Sequence, residues 1–172
     1  MWSRRDILYL VEGETEKRLL KILKDGKNVY SGRIFVCNIV QERIRPAMFM
    51  SYGTKISIAA IFDTDTSTAD LLKQNISILK DLPNFQEMVC IPQVSNFEDE
   101  LCYACNIRDV RVITGSRSKS DFKRDFLNAG NILQKLNRKG FDVSKLWSRE
   151  ASGVFSFVIN ESYKIKRVAK CK

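Results

Sequence analysis

The sequence contains no histidine. That absence removes Ser-His-Asp and Cys-His nucleophile systems. It also removes the usual general base near neutral pH and the commonest metal ligand. Any catalysis must rest on carboxylates, lysine, tyrosine, cysteine or a metal held by oxygen. Long apolar runs are missing too: nothing approaches the ~18 residues that cross a bilayer. After Arg4 and Arg5 the apolar run Ile7–Val11 is five residues long, too short for the core of a signal peptide. A cytoplasmic location is therefore expected. Cysteines are few and odd in number: Cys37, Cys90, Cys102, Cys105 and Cys171, a pattern of reduced thiols. Cys102-Tyr-Ala-Cys105 has no second pair at a spacing that would complete a zinc site of about four ligands. It follows helix-like residues, so it reads as one face of a helix rather than a redox motif at a helix start. No GxxxxGK[ST] is present, which excludes a P-loop.

What is present suits one domain of ordinary size. The chain has 172 residues, 44% hydrophobic and 28% charged, a composition that supports a globular core. Charge is unevenly distributed. Residues 1–105 carry 13 Lys and Arg against 14 Asp and Glu, whereas residues 106–172 carry 16 against 6. A basic excess confined to the C-terminal third points to a polyanion, most often nucleic acid. Trp147, Phe155 and Phe157 lie in this third, where aromatic rings either stack on bases or pack a core.

The first two thirds alternate apolar runs with helix-like segments. Strands are expected at Ile7–Val11, Arg33–Val40, Ile56–Phe62 and Met88–Val94, the last with Pro92 marking an edge. Helices are expected at Thr15–Leu23, Asp70–Leu82 and Phe97–Ala104, with a short helix or ordered loop at Pro46–Tyr52. Such alternation implies an α/β fold with a mostly parallel four-stranded sheet flanked by helices. Residues 106–172 read as a basic, mainly helical extension packed on it, with helices at Ser118–Gly130 and Asn131–Arg138 and a lysine-rich tail from Lys164.

In parallel α/β sheets, ligands bind beyond the carboxyl ends of the strands. Three of the expected strands end in acidic residues: Glu12, Glu14 and Glu16 after the first, Asp63-Thr64-Asp65 after the third, and Glu98-Asp99-Glu100 after the fourth. Carboxylates gathered at one edge repel one another unless a cation offsets them. With no histidine and no thiolate pair, a hard divalent ion, magnesium or manganese, suits the donors. Each acid also has a structural use. Glu14 and Glu16 complement a helix N-terminus, and Ser95-x-x-Glu98 has the form of a capping box. Gly13 is read as easing a tight strand-to-helix turn.

The order V-E-G-E-T-E after strand one and D-T-D after strand three resembles the TOPRIM family over roughly residues 5–105. That family includes topoisomerases, DnaG-type primases, RecR-type recombination mediators and the overcoming-lysogenization-defect (OLD) nucleases. The extra glutamate, Glu16, is closer to the nuclease branches, OLD-type and RloB-like, which act in phage defence. The resemblance implies a TOPRIM-like Rossmannoid domain at 1–105 with the extension at 106–172. It implies that Glu12, Asp63 and Asp65 hold one or two catalytic magnesium or manganese ions, joined by Glu16 and by one of Glu98, Asp99 and Glu100, with Glu98 favoured. A downstream basic residue near the scissile phosphate is also implied: Lys119 first, then Lys123, with Arg117 and Arg124 as further nucleic-acid contacts. The expected activity is metal-dependent endonuclease cleavage of DNA or RNA, tRNA included, as the effector of an anti-phage system. A separate regulatory partner such as an ATPase is expected, no membrane is, and oligomerisation is left open. The alternative is a non-catalytic nucleic-acid-binding TOPRIM module, either mediator-like or a partner-regulated subunit. A haloacid-dehalogenase-type phosphatase would carry its DxDxT loop early rather than mid-chain. A receiver domain would carry its acid pair after strand one.

Overall fold

The computed structural model describes residues 7–52 and 55–167. Four strands, β1 (Ile7–Val11), β2 (Gly32–Val36), β3 (Ile56–Asp63) and β4 (Phe85–Gln93), form one sheet in the order β2-β1-β3-β4. Every neighbouring pair is parallel. β1 and β3 occupy the centre, and the apolar runs ILYLV and ISIAAIF are buried throughout. This follows from both faces of the sheet being covered. β4 is an edge strand, which is where a proline without an N–H, Pro92, is tolerated.

Side chains alternate between the faces with the two-residue period of a strand. Ile7, Tyr9, Val11, Ala59, Ile61, Val89 and Ile91 enter one core with α1 (Glu14–Asp25) and α4 (Phe97–Cys105). Leu8, Leu10, Ile58, Ala60 and Phe62 enter the other with α3 (Asp70–Lys80) and with Phe49 of the short α2 (Ala47–Met50). In α1 the buried Leu19, Leu20 and Leu23 share one face, so burial rather than intrinsic propensity holds the helix.

The later segments share these cores. After α5 (Arg111–Thr114), α6 (Lys119–Asn128) contributes Phe122 and Phe126, and α7 (Ile132–Arg138) contributes Ile132 and Leu136, to the α1–α4 face. The Phe97 and Phe126 rings meet edge to face at 5.5 Å. Each fully buried phenylalanine contributes roughly 1.5–3 kcal/mol. Trp147 and Phe155 are both 1% exposed, so both are core residues, whereas Phe157 is 43% exposed. Beyond α7 the described residues are irregular apart from two 3-10 turns, Gly153–Phe155 and Ser162–Lys164, and an isolated antiparallel bridge between Val29 and Lys166.

Two boundaries depart from expectation by more than two residues. β2 stops at Val36 rather than Val40 because the Asn38 side chain accepts from the N–H groups of Val40 and Gln41, turning the chain. β4 begins at Phe85, three residues before Met88. Cys102 and Cys105 both lie on α4, and Cys37, Cys90, Cys102 and Cys105 are free thiols. Cys171 and the tail beyond Arg167 lie outside the described residues, as do Arg4 and Arg5. Among the described residues no helix is long and apolar enough to cross a membrane.

Candidate functional site

The strand order reverses between β1 and β3. From β1 the chain moves to β2 on one side, then crosses back to β3 and β4 on the other. At such a switch point the adjoining connections diverge to opposite faces and leave a crevice at the carboxyl edge. Glu12 directly follows β1 and Asp63 ends β3, so the reversal brings these two acids together.

The backbone N–H of Asp63 favours the charged form of the Glu12 carboxyl. Burial pushes the Glu12 carboxyl up to about 7, reinforced by the charges of Glu16 and Asp65. Burial, then the Glu12 charge, pushes Asp63 up to about 8, with further contributions from Glu16 and Asp65. Four carboxylates thus feel one another at this edge. Asp65 is exposed. Glu16 is 5% exposed and accepts a 2.9 Å bond from the Thr15 hydroxyl. Glu14 is solvated and pairs with Lys17 at 3.0 Å.

Gly13 does not serve as a turn-former. Its φ of −149° and ψ of −178° are extended backbone open to any residue. The constraint is space, since a Cβ there would lie 3.1 Å from Glu16 Oε2. Glycine lets the Glu16 carboxylate lie against the strand end.

The third acidic cluster divides into separate tasks. The N-cap of α4 is Asn96, whose side chain accepts from Asp99 N–H at 3.0 Å. Ser95 therefore does not form the expected capping box with Glu98, and Glu98 is free for other contacts. Glu100 is fully buried and accepts from Val94 N–H, Trp147 N–H and the Arg149 guanidinium. Asp99 is exposed. Glu98, half-buried, pairs with Lys123 Nζ at 3.4 Å.

Lys123 is also the cation whose charge lowers the Glu12 carboxyl. It is brought there by α6, which docks Phe122 and Phe126 into the core and packs against α1. Lys119 begins the same helix but lies near Cys102 and Asp109, about one turn along α4 from Glu98. Arg117 and Arg124 line a separate groove with Gly115, Asp121 and Asp125. There Arg124 pairs with Asp121 at 2.9 Å and Asp125 at 3.2 Å. The site therefore gathers Glu12, Glu16, Asp63, Asp65, Glu98 and Lys123, and leaves Lys119, Arg117 and Arg124 beside it.

Two contributors carried no motif. Thr64, between the two aspartates, staples β3 to β4: its hydroxyl donates to Gln93 O at 2.9 Å, and its N–H to Gln93 O and Ser95 O. Gln93 is fully buried, and its amide Nε2 donates to Asp63 Oδ1 at 2.6 Å. The signal available in the sequence was a polar residue inside the run VCIPQV.

Among the described residues no three carboxylates or thiols already converge as a metal cage. Magnesium does not require one: it is commonly held by one or two carboxylates, with water and substrate phosphate completing its shell. An all-oxygen donor set with two adjacent partly buried carboxyls pushed upward fits such an ion, because a cation there relieves both desolvation and repulsion. Comparisons with protein-family models, curated proteins and solved structures gave no significant match.

Proposed function

We propose that the protein is a magnesium- or manganese-dependent endonuclease of the TOPRIM type that cuts nucleic-acid phosphodiester bonds. The observation that carries this reading is the partly buried Glu12–Asp63 pair at the β1/β3 reversal. Two mutually repelling carboxyls cost stability, and a divalent cation supplies the compensation. Glu12 and Asp63 would hold the ion, with Glu16 and Asp65, whose charges both acids feel, and Glu98, linked through Lys123, as further candidate ligands. When bound, a divalent ion lowers the pKa of a bound water and offsets charge on the phosphate.

Lys123 is the basic residue best supported for the scissile phosphate. Its ammonium faces both Glu12 and Glu98, and a fixed cation there stabilises charge developing on phosphate oxygens. Phosphate contacts from residues 106–167 would position the strand and make binding salt-dependent. Phe157 remains exposed for stacking, whereas Trp147 and Phe155 are committed to the core. A role in phage defence and control by a separate ATPase-like partner belong to the same proposal, resting on the resemblance of the V-E-G-E-T-E and D-T-D segments.

The lack of a preformed three-carboxylate cage among the described residues favours a second reading, a nucleic-acid-binding module without catalysis. One experiment separates the two. Purified protein is incubated with plasmid, single-stranded DNA and bulk tRNA in magnesium, manganese or EDTA, alongside Glu12→Ala and Asp63→Ala. Metal-dependent cleavage lost in both variants is expected. Salt-sensitive binding without cleavage under any condition, with or without a partner, would replace the nuclease with the binding module.

A further inference from the structure

Gln93 connects Asp63 to Trp147, more than fifty residues further along the chain. One end of its buried amide donates to Asp63 Oδ1 at 2.6 Å, and the other, Oε1, accepts from the Trp147 indole Nε1–H at 3.1 Å. An indole N–H can only donate, whereas an amide has one donor end and one acceptor end. The indole therefore determines which way the amide points. If the amide were reversed, two donors would face each other at the buried Trp147 indole, and an ionised Asp63 would meet a second oxygen, leaving polar groups unsatisfied.

Trp147 is held in turn. Its N–H donates to Glu100 Oε2 at 3.0 Å, and its carbonyl accepts from Asn160 Nδ2 and Ser162 Oγ. Its φ is +57°, an unfavourable conformation for a bulky residue that persists only when the surroundings over-determine it. We propose that Trp147 acts on the site as a positioning residue through Gln93: the indole fixes the amide, and the amide's NH2 orients the Asp63 carboxylate. The irregular segment after α7 thereby becomes part of the site. The inference rests on the reading of Asp63 as an ion ligand.

The test is calorimetric titration of Mn2+ into the full chain and into Trp147→Phe, Gln93→Met and the double variant, with thermal melts checking that each is folded. Loss of an outer partner of a metal ligand typically weakens affinity about 10–100-fold. A loss of at least about tenfold is therefore expected in each single variant. The double variant should be no weaker than Gln93→Met, because Trp147 acts only through that side chain. Unchanged affinity in Trp147→Phe, or losses that add in the double variant, would overturn the proposal.

If the wild-type chain binds no Mn2+, the ligand reading fails separately, and NMR decides the relay. The Gln93 side-chain amide resonances should move in Trp147→Phe and in Asp63→Ala; resonances unmoved in both would sink it. If Trp147→Phe does not fold, the indole N–H resonance in Gln93→Met settles the same point, moving if the bond exists and staying if it does not.

Discussion

Two sets of carboxylates lie beyond the carboxyl edge of the sheet, Glu12 and Asp63 at the ends of β1 and β3 and Glu100 on α4 after β4, and the molecule treats them in opposite ways. Glu100 is completely buried but surrounded by donors: two backbone N–H groups and the Arg149 guanidinium, with Arg149 also over the Tyr103 ring at 4.8 Å. Glu12 and Asp63 are less buried yet face mainly other carboxylates, with Gln93, a single backbone N–H and Lys123 as relief. The first arrangement is a finished structural joint. The second is electrostatically unfinished, and such sites are where function is expected. Glu98 and Glu100 show the same division two residues apart on α4.

The contrast can be broken from either side. The largest effect is expected from Glu100→Ala, which takes the acceptor from the Val94 and Trp147 N–H groups and leaves the partly buried Arg149 with Val94 O alone as a polar partner. Removing one partner of a buried pair costs roughly 3–5 kcal/mol, readable by urea denaturation. Asp63→Asn should do the reverse, raising the stability of the metal-free protein by about 1–2 kcal/mol at pH 8 while abolishing cleavage, the usual trade at a strained site.

That gain should depend on pH with a definite sign. The unfolded carboxyls ionise near pH 4, whereas folded Glu12 and Asp63 hold their protons to about 7 and 8. Between these values the folded state binds more protons, so its stability falls as pH rises. The advantage of Asp63→Asn should grow from pH 4 to pH 8 and shrink when magnesium is added. Melting curves over that range check it, and a pH-independent difference would contradict it.

Smallest in stability is Lys123→Ala. The Glu98–Lys123 pair is 61% exposed on the lysine side, and such pairs contribute about 0–1 kcal/mol. In the proposed nuclease, cleavage should nevertheless fall at least about tenfold, because there the cation would serve the phosphate rather than the fold. Lys119→Ala, beside Asp109 and Cys102, should leave cleavage within about twofold, so measuring both variants sharpens the choice between the two lysines.

Much of the scaffold is legible in the amino-acid sequence. β1 and β3 declare themselves as continuous apolar runs, and α1 and α3 as helical patterns with charged outer faces. The acids Glu12, Asp63 and Asp65 stand at strand ends, where a parallel sheet presents its ligands. The end of β2 and the cap of α4 are not legible, because each turns on one asparagine side chain: Asn38 stops a strand, and Asn96 takes the cap from Ser95. Lys119 and Lys123 cannot be separated by spacing alone. The burial of Phe122 and Phe126 sets how α6 rolls, and that roll carries Lys123 to the acids.

The sequence by itself determined which residue types were available: oxygen ligands without histidine, a parallel α/β scaffold, and a basic last third. Period-two and helical patterns encode local structure, and composition limits chemistry before folding begins. Only the tertiary structure decided which acids meet. The reversal of strand order between β1 and β3 joins positions 12 and 63, and the return of the chain at Trp147 brings an indole to Gln93. Neither is a local property. Strand order and side-chain packing depend on contacts between distant residues, which local periodicity cannot express.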